Sequence, residues 1–129
     1  EGLEGFERFT KHGRGFKPKI SIRQRGQIAF NSGAINRFKL DDYNFTIMFY
    51  NKEKQKIAFK FTNNSEEDGI RNIVKKKGNF FISGKAFLDY YGLSYEKTTS
   101  YECEWDPESE IAIIDLLEHQ SIDPEFSSI

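Results

Sequence analysis

Two stretches 52 residues apart constrain this chain more than any other feature. The first is GQIAFNSGAINRFKL, Gly26 to Leu40, and the second is GNFFISGKAFLDYYGL, Gly78 to Leu93. Each begins after a glycine as a short alternating strand, with Ile28 and Phe30 in one and Phe80 and Ile82 in the other. Each breaks at a small polar pair, Asn31-Ser32 or Ser83-Gly84, and resumes at helical spacing. A side-chain oxygen at such a break can accept an orphan amide hydrogen bond, so Asn31-Ser32 and Ser83 are helix-cap candidates. The predicted helices run from Gly33 to Phe38 and from Lys85 to Tyr91, with Gly92 at the C-terminal end of the second.

The flanks repeat as well. Alternating apolar positions from Lys19, chiefly Ile20 and Ile22, predict a strand before the first glycine, with Pro18 at its entry. Ile70 to Lys76 predicts the equivalent strand before the second. After the first helix, Phe45 to Phe61 reads as two β-rich runs around Asn51-Lys52-Glu53-Lys54. After the second, Thr98 to Trp105 and Glu110 to Asp115 read as two more around Asp106-Pro107-Glu108-Ser109. EIAIIDLLEH, Glu110 to His119, also fits a helical stripe, but the repeat favours a strand there. A single β-unit leaves pairing edges open, and a second copy can satisfy them. The expected fold is therefore mainly β with short helices (α+β). Two tandem β-β-α-β-β units form one intertwined β-barrel-like domain. The expected divisions are a basic N-terminal arm at 1–18, a first repeat at 19–62, a linker at 63–69, a second repeat at 70–116 and an acidic tail at 117–129.

The spacing from each glycine through its strand, polar break and short helix resembles the SpoVT/AbrB swapped-hairpin domain. Gly26, Gln27, Ile28, Phe30, Asn31, Phe38 and Leu40 carry the resemblance in the first half. Gly78, Asn79, Phe80, Ile82, Ser83, Tyr91, Gly92 and Leu93 carry it in the second. Two such units in one chain resemble the MraZ arrangement and would cover about residues 19–116. The chain departs from the usual pattern in having Asn31 and Ser83 where proline is common. It has Gln27 and Asn79 where arginine often follows the glycine. The resemblance implies a non-enzymatic, duplex DNA-binding protein of the transcriptional-regulator or antitoxin-like kind, with a basic face made by both repeats.

Charge is consistent with such a face. Residues 1–85 hold 18 Lys and Arg against 9 acids, whereas residues 86–129 hold one Lys against 11 acids. A basic front with an acidic flank suits a nucleic-acid surface, and it equally suits charge balance between packed halves. The residues carried over from the resemblance are Arg23, Arg25, Lys75 and Lys77, with Lys76 close by. If Ile22 points inward, Arg23 and Arg25 project together outward, and Lys75 and Lys77 do the same beside Val74. Lys and Arg release counterions from phosphates, and Arg also reads guanine edges. Arg14, Lys17 and Lys19, with Lys11, form a candidate phosphate-tracking arm.

Two other readings stay open. Phe45, Phe49, Tyr50, Phe59 and Phe61 beside lysines would suit stacking of single-stranded bases, which resembles whirly-type binders. A protein-interaction or assembly module, including a homo-oligomer, is the third reading. Enzyme chemistry finds little support. His12 and His119 have no recurring ligand spacing, and the acids at Asp41-Asp42 and Glu66-Glu67-Asp68 suit turns. Cys103 sits in an alternating strand as a small buried residue. No cofactor motif is present. No apolar run approaches the roughly 18 residues of a membrane span, and no signal pattern stands at the start, so a cytoplasmic location is expected.

Overall fold

The computed structural model describes Gly5, residues 17–77 and residues 79–118. The arm with Lys11, His12 and Arg14, the second motif glycine Gly78, and the tail from His119 lie outside the described residues. Strands account for 44% of the described residues, which makes the fold mainly β. In chain order the elements are β1 (Lys19–Ile22), β2 (Gln27–Phe30), α1 (Ser32–Phe38), β3 (Phe45–Asn51), β4 (Lys56–Thr62), β5 (Arg71–Asn72), β6 (Val74–Lys76), β7 (Asn79–Ser83), α2 (Lys85–Tyr90), β8 (Thr99–Asp106) and β9 (Ile111–Asp115).

The nine strands form a nearly closed, barrel-like sheet in the order β5-β3-β4-β9-β8-β1-β2-β7-β6. Every pairing is antiparallel. The two terminal strands of the sheet, β5 and β6, are successive pieces of one line interrupted at Ile73. Closure of this kind consumes the unpaired N–H and C=O groups that an open edge presents.

Alternation decides what faces the interior. β4 reads Ile57, Phe59 and Phe61 inward, each fully buried, with Lys56, Ala58, Lys60 and Thr62 outward. Ile20 and Ile22, Ile28 and Phe30, and Ala112 and Ile114 follow the same rule on β1, β2 and β9. The aromatic core is locked by ring contacts: Phe30 meets Phe59 and Phe61 edge-on at 6.0 and 5.9 Å, and Phe38 of α1 stacks on Trp105 at 4.5 Å. Burying side chains of this size stabilises by about 1.5–3 kcal/mol each.

The local signals largely hold. Asn31 caps α1, its side-chain oxygen accepting from the Ala34 N–H at 2.8 Å. β1 begins directly after Pro18, and Gly92 takes φ +67° just beyond α2, where glycine has no Cβ to clash. Glu110 to Asp115 belongs to a strand hairpin rather than a helix, because Cys103, Glu104, Trp105 and Asp106 pair across it.

Three expectations are corrected. Ser83 is the last residue of β7 and caps nothing; Gly84 holds the N-cap position of α2 without a side-chain bond. Gly84 is there for space, since a Cβ would lie 2.4 Å from Ile28 Cδ1, and its N–H bonds the Gly26 carbonyl at 2.9 Å. The strand predicted from Ile70 to Lys76 is broken in two. Its phase is also different: Ile73 is buried while Val74 is 36% exposed, so Val74 is not the inward residue.

Candidate nucleic-acid interface

The outer face of β1-β2-β7-β6 carries Arg23 and Lys76, with Arg25 and Lys77 in the turns beside them. Strand register defines its rows. Ala29 lies opposite Ser21 on one side and Phe81 on the other, and Phe81 lies opposite Val74. Arg23 continues β1 beyond its last paired residue: its N–H bonds the Gln27 carbonyl at 2.7 Å. On the other side Lys76 is paired with Asn79. Arg23 and Lys76 therefore stand at diagonal corners of a face whose middle row is Ala29, Phe81 and Val74. With strands about 4.8 Å apart and about 3.3 Å per residue, the corners are separated by roughly 20 Å.

The Arg23 side chain is held. Its guanidinium donates to Gln27 Oε1 at 2.7 Å and to Asn79 Oδ1 at 3.4 Å. These acceptors are the residues that follow the two motif glycines in sequence. Their role was not read from the sequence, although their matched positions were its available signal. Arg25 is placed differently. It sits in the 3-10 turn Gln24–Gly26 with φ 75°, a left-handed conformation that costs a non-glycine residue about 1–2 kcal/mol. The turn is pinned around it. Gln24 donates its side-chain amide to the Glu96 carbonyl at 2.8 Å, and Gly26 at φ +81° leaves no room for a Cβ, which would meet Lys85 Cα at 2.7 Å. Arg25 is exposed and lines an open hollow of about 600 Å³ with Asp89, Leu93 and Tyr95. Asp89 is already engaged there. Lys85 at 2.9 Å and the Tyr95 hydroxyl at 2.8 Å hold its carboxyl below the ordinary range, the Lys85 bond being the larger cause.

The lysine run is not the mirror of Arg23-Gln24-Arg25 that its position suggested. Two residues separate Lys76 from its register partner Asn79, whereas three separate Arg23 from Gln27. The shorter turn moves the phase by one, so Lys76 corresponds to Arg23. Lys75 instead turns beside Phe80, 5.9 Å from its ring centre, and donates to the Asp41 carbonyl at 3.1 Å. Lys76 and Lys77 are exposed and make no side-chain hydrogen bond or ion pair with another described residue.

The remaining candidates do not join this group. Lys17 pairs with Glu102 at 3.2 Å, and Lys19 sits at the far end of β1, about 13 Å along the strand from Arg23. Arg14 lies outside the described residues. Among the hairpin aromatics, Phe59 and Phe61 are wholly core. Tyr50 is half-buried against Tyr91 at 4.9 Å, Phe45 is half-buried, and Phe49 is 49% exposed. Cys103 is half-buried and faces inward; burial pushes its thiol up to about 12, with Glu102 adding to the shift. Among the described residues no group of three or more His, Cys, Asp or Glu could hold a metal ion. No described helix is long and apolar enough to cross a membrane.

The class defined by these observations is a mainly β, barrel-like domain with a basic-cornered outer face. Compared with protein-family models, with curated proteins and with solved structures, the chain matches none.

Proposed function

We propose that this chain is a duplicated β-β-α-β-β module of the swapped-hairpin, AbrB-like kind, and that it binds duplex DNA without catalysing a reaction. The duplication is supported by the pairing scheme. Exchanging β1 with β5–β6, β2 with β7, β3 with β8 and β4 with β9 turns the set of pairings into itself. Under that exchange Ala29 and Phe81, which already face each other, are equivalents 52 residues apart.

The observation that carries the binding reading is the pair of equivalent corners. Arg23, held by Gln27 and Asn79, and Lys76 occupy matched places on one outer face, each with a cation beside it that bonds no other described residue, Arg25 or Lys77. Four phosphate contacts give a salt slope near −3.6, so affinity falls about tenfold for each doubling of salt.

The test is fluorescence anisotropy at about 50 mM salt with a labelled mixed-sequence duplex and the matching single strand. The triple variant Arg25→Glu, Lys76→Glu, Lys77→Glu removes cations that bond nothing else described, so its fold is expected to be intact. We expect duplex binding in the wild type and a loss of at least a hundredfold in the variant. No duplex binding at low salt, or equal binding by the variant, would overturn the reading. A preference for the single strand that disappears in Phe49→Ala would replace it with a base-stacking one.

A further inference from the structure

The ring that closes each helix leans on a hairpin strand from the other half of the chain. At the end of α1, Phe38 stacks on Trp105, the penultimate residue of β8, with ring centres 4.5 Å and planes 30° apart. Just beyond α2, Tyr91 leans on Tyr50, the penultimate residue of β3, at 4.9 Å and 48°. Phe38 is 1% exposed in its seat, whereas Tyr91 is 42% exposed. Beside Tyr91 lies an open hollow of about 350 Å³, lined chiefly by Met48, Arg71, Phe87, Tyr90 and Tyr91. Tyr90 is 82% exposed and stands edge-on to Tyr91 at 4.8 Å, and Phe87 meets Tyr91 edge-on at 5.0 Å. Arg71 is the one charged residue among the described lining. It is exposed, and its side chain makes no hydrogen bond or ion pair with another described residue.

We propose that this hollow binds a small aromatic carboxylate, its ring against Tyr90 and Phe87 over Met48 and its carboxylate on Arg71. Three properties select that chemistry. Exposed ring faces and edges accept another flat ring, and a thioether packs well against one. A contiguous exposed aromatic patch of this kind marks a binding surface. The unpaired guanidinium calls for an anion, and its planar fork matches a carboxylate with two parallel hydrogen bonds. One guanidinium balances one negative charge, whereas a phosphate monoester brings about −1.5 to −2. The volume is at the small end of ligand sites, which suits one or two fused rings rather than a longer molecule. A bound ring would give α2 the aromatic partner that Trp105 gives α1. The proposal does not rest on nucleic-acid binding, since neither Arg71 nor the tyrosines belong to the Arg23–Lys76 face.

Isothermal titration calorimetry decides it, with 2-naphthoate as the probe, 2-naphthamide as its neutral isostere and cyclohexanecarboxylate as its non-aromatic counterpart. The variants are Arg71→Gln and Tyr90→Ala, both at exposed positions, so the fold is expected to be intact. The wild type should bind one 2-naphthoate with a Kd on the order of 0.1–1 mM. The amide should bind at least about tenfold more weakly, because it lacks the charge that Arg71 pairs with. Arg71→Gln should weaken the acid by about tenfold and leave the amide unchanged, which a general loss of structure would not do. Tyr90→Ala should weaken acid and amide alike by about three- to tenfold. No saturable binding of 2-naphthoate up to about 5 mM overturns the proposal. Arg71→Gln that binds the acid at wild-type strength overturns it as well, as does Tyr90→Ala with no effect on either ligand. Cyclohexanecarboxylate binding as tightly as 2-naphthoate would overturn the aromatic half of the assignment.

Discussion

The two helices sit in unlike seats. α1 drives Phe38 into the core, where it stacks on Trp105 and Phe61 and is 1% exposed. α2 ends instead on Tyr90 and Tyr91, 82% and 42% exposed, with Tyr91 leaning on Tyr50. The same strand–helix phrase therefore yields one helix that ends in the core and one that buries Leu88 but ends on exposed rings. The difference teaches that the shared pattern fixes the path of the backbone, while the terminal aromatic fixes how much each half contributes to stability.

Mutations separate these contributions. Phe38→Ala leaves a cavity against the Phe61 and Trp105 rings and should cost about 3–5 kcal/mol, whereas Tyr91→Ala should cost about 1 kcal/mol. Urea denaturation of the pair measures the difference, and equal losses would end the comparison. A second contrast lies at the ends of α2. Gly84→Ala presses a Cβ onto Ile28 and the Gly26 carbonyl and should cost about 1–3 kcal/mol. Gly92→Ala meets nothing within 4 Å and suffers only from φ +67°, about 1 kcal/mol.

Alkaline pH probes another contrast. Cys103 faces inward on β8 and titrates, whereas Met48, inward on β3, does not. The Cys103 thiol is pushed up to about 12 from 9.0, so above about pH 9 the unfolded chain loses a proton that the folded one keeps. Stability is unaffected below that and falls as pH rises toward 12. Tyr43 acts in the same sense. Its bond to Glu110, followed by burial, raises it to about 12 from 10.0. Urea midpoints at about pH 8 and 10.5 should differ, and Cys103→Ala should narrow the gap. The smallest effect is at the turns. Arg25→Asn should stabilise by about 0.5–1 kcal/mol, since asparagine tolerates φ 75° better, while duplex affinity falls. Lys77→Asn should lower affinity with no such gain. A stability loss in Arg25→Asn would mean that the strain is not where the backbone puts it.

Much of the barrel was legible because period-2 alternation is a direct readout of a half-buried strand. Ile57, Phe59 and Phe61 announce β4 by themselves, and Asn31 announces the start of α1. β6 was not legible in the same way. Ile73-Val74 offers two apolar residues in succession, so either phase fits, and the interruption at Ile73 is a tertiary event. That single ambiguity carried into the candidate interface. It made Lys75 the partner of Arg23, where a turn shorter by one residue brings up Lys76. Gln27 and Asn79 were missed as the anchors of Arg23 because no local pattern shows which amides a long arm will reach across a sheet.

The exchange of partners across the sheet has one more consequence. β1 pairs with β8, β2 with β7, β3 with β5 and β4 with β9, so four of the eight strand pairings join residues 19–62 to residues 71–115. Neither half can finish its sheet while the other is still unmade, and the Gly26–Gly84 backbone bond closes only when both are present. The molecule should therefore behave in unfolding as one indivisible cooperative unit, slow to assemble because its decisive pairings are distant in sequence. By the same logic, two fragments separated within residues 63–69 would be individually unstructured, yet each would be the template on which the other folds.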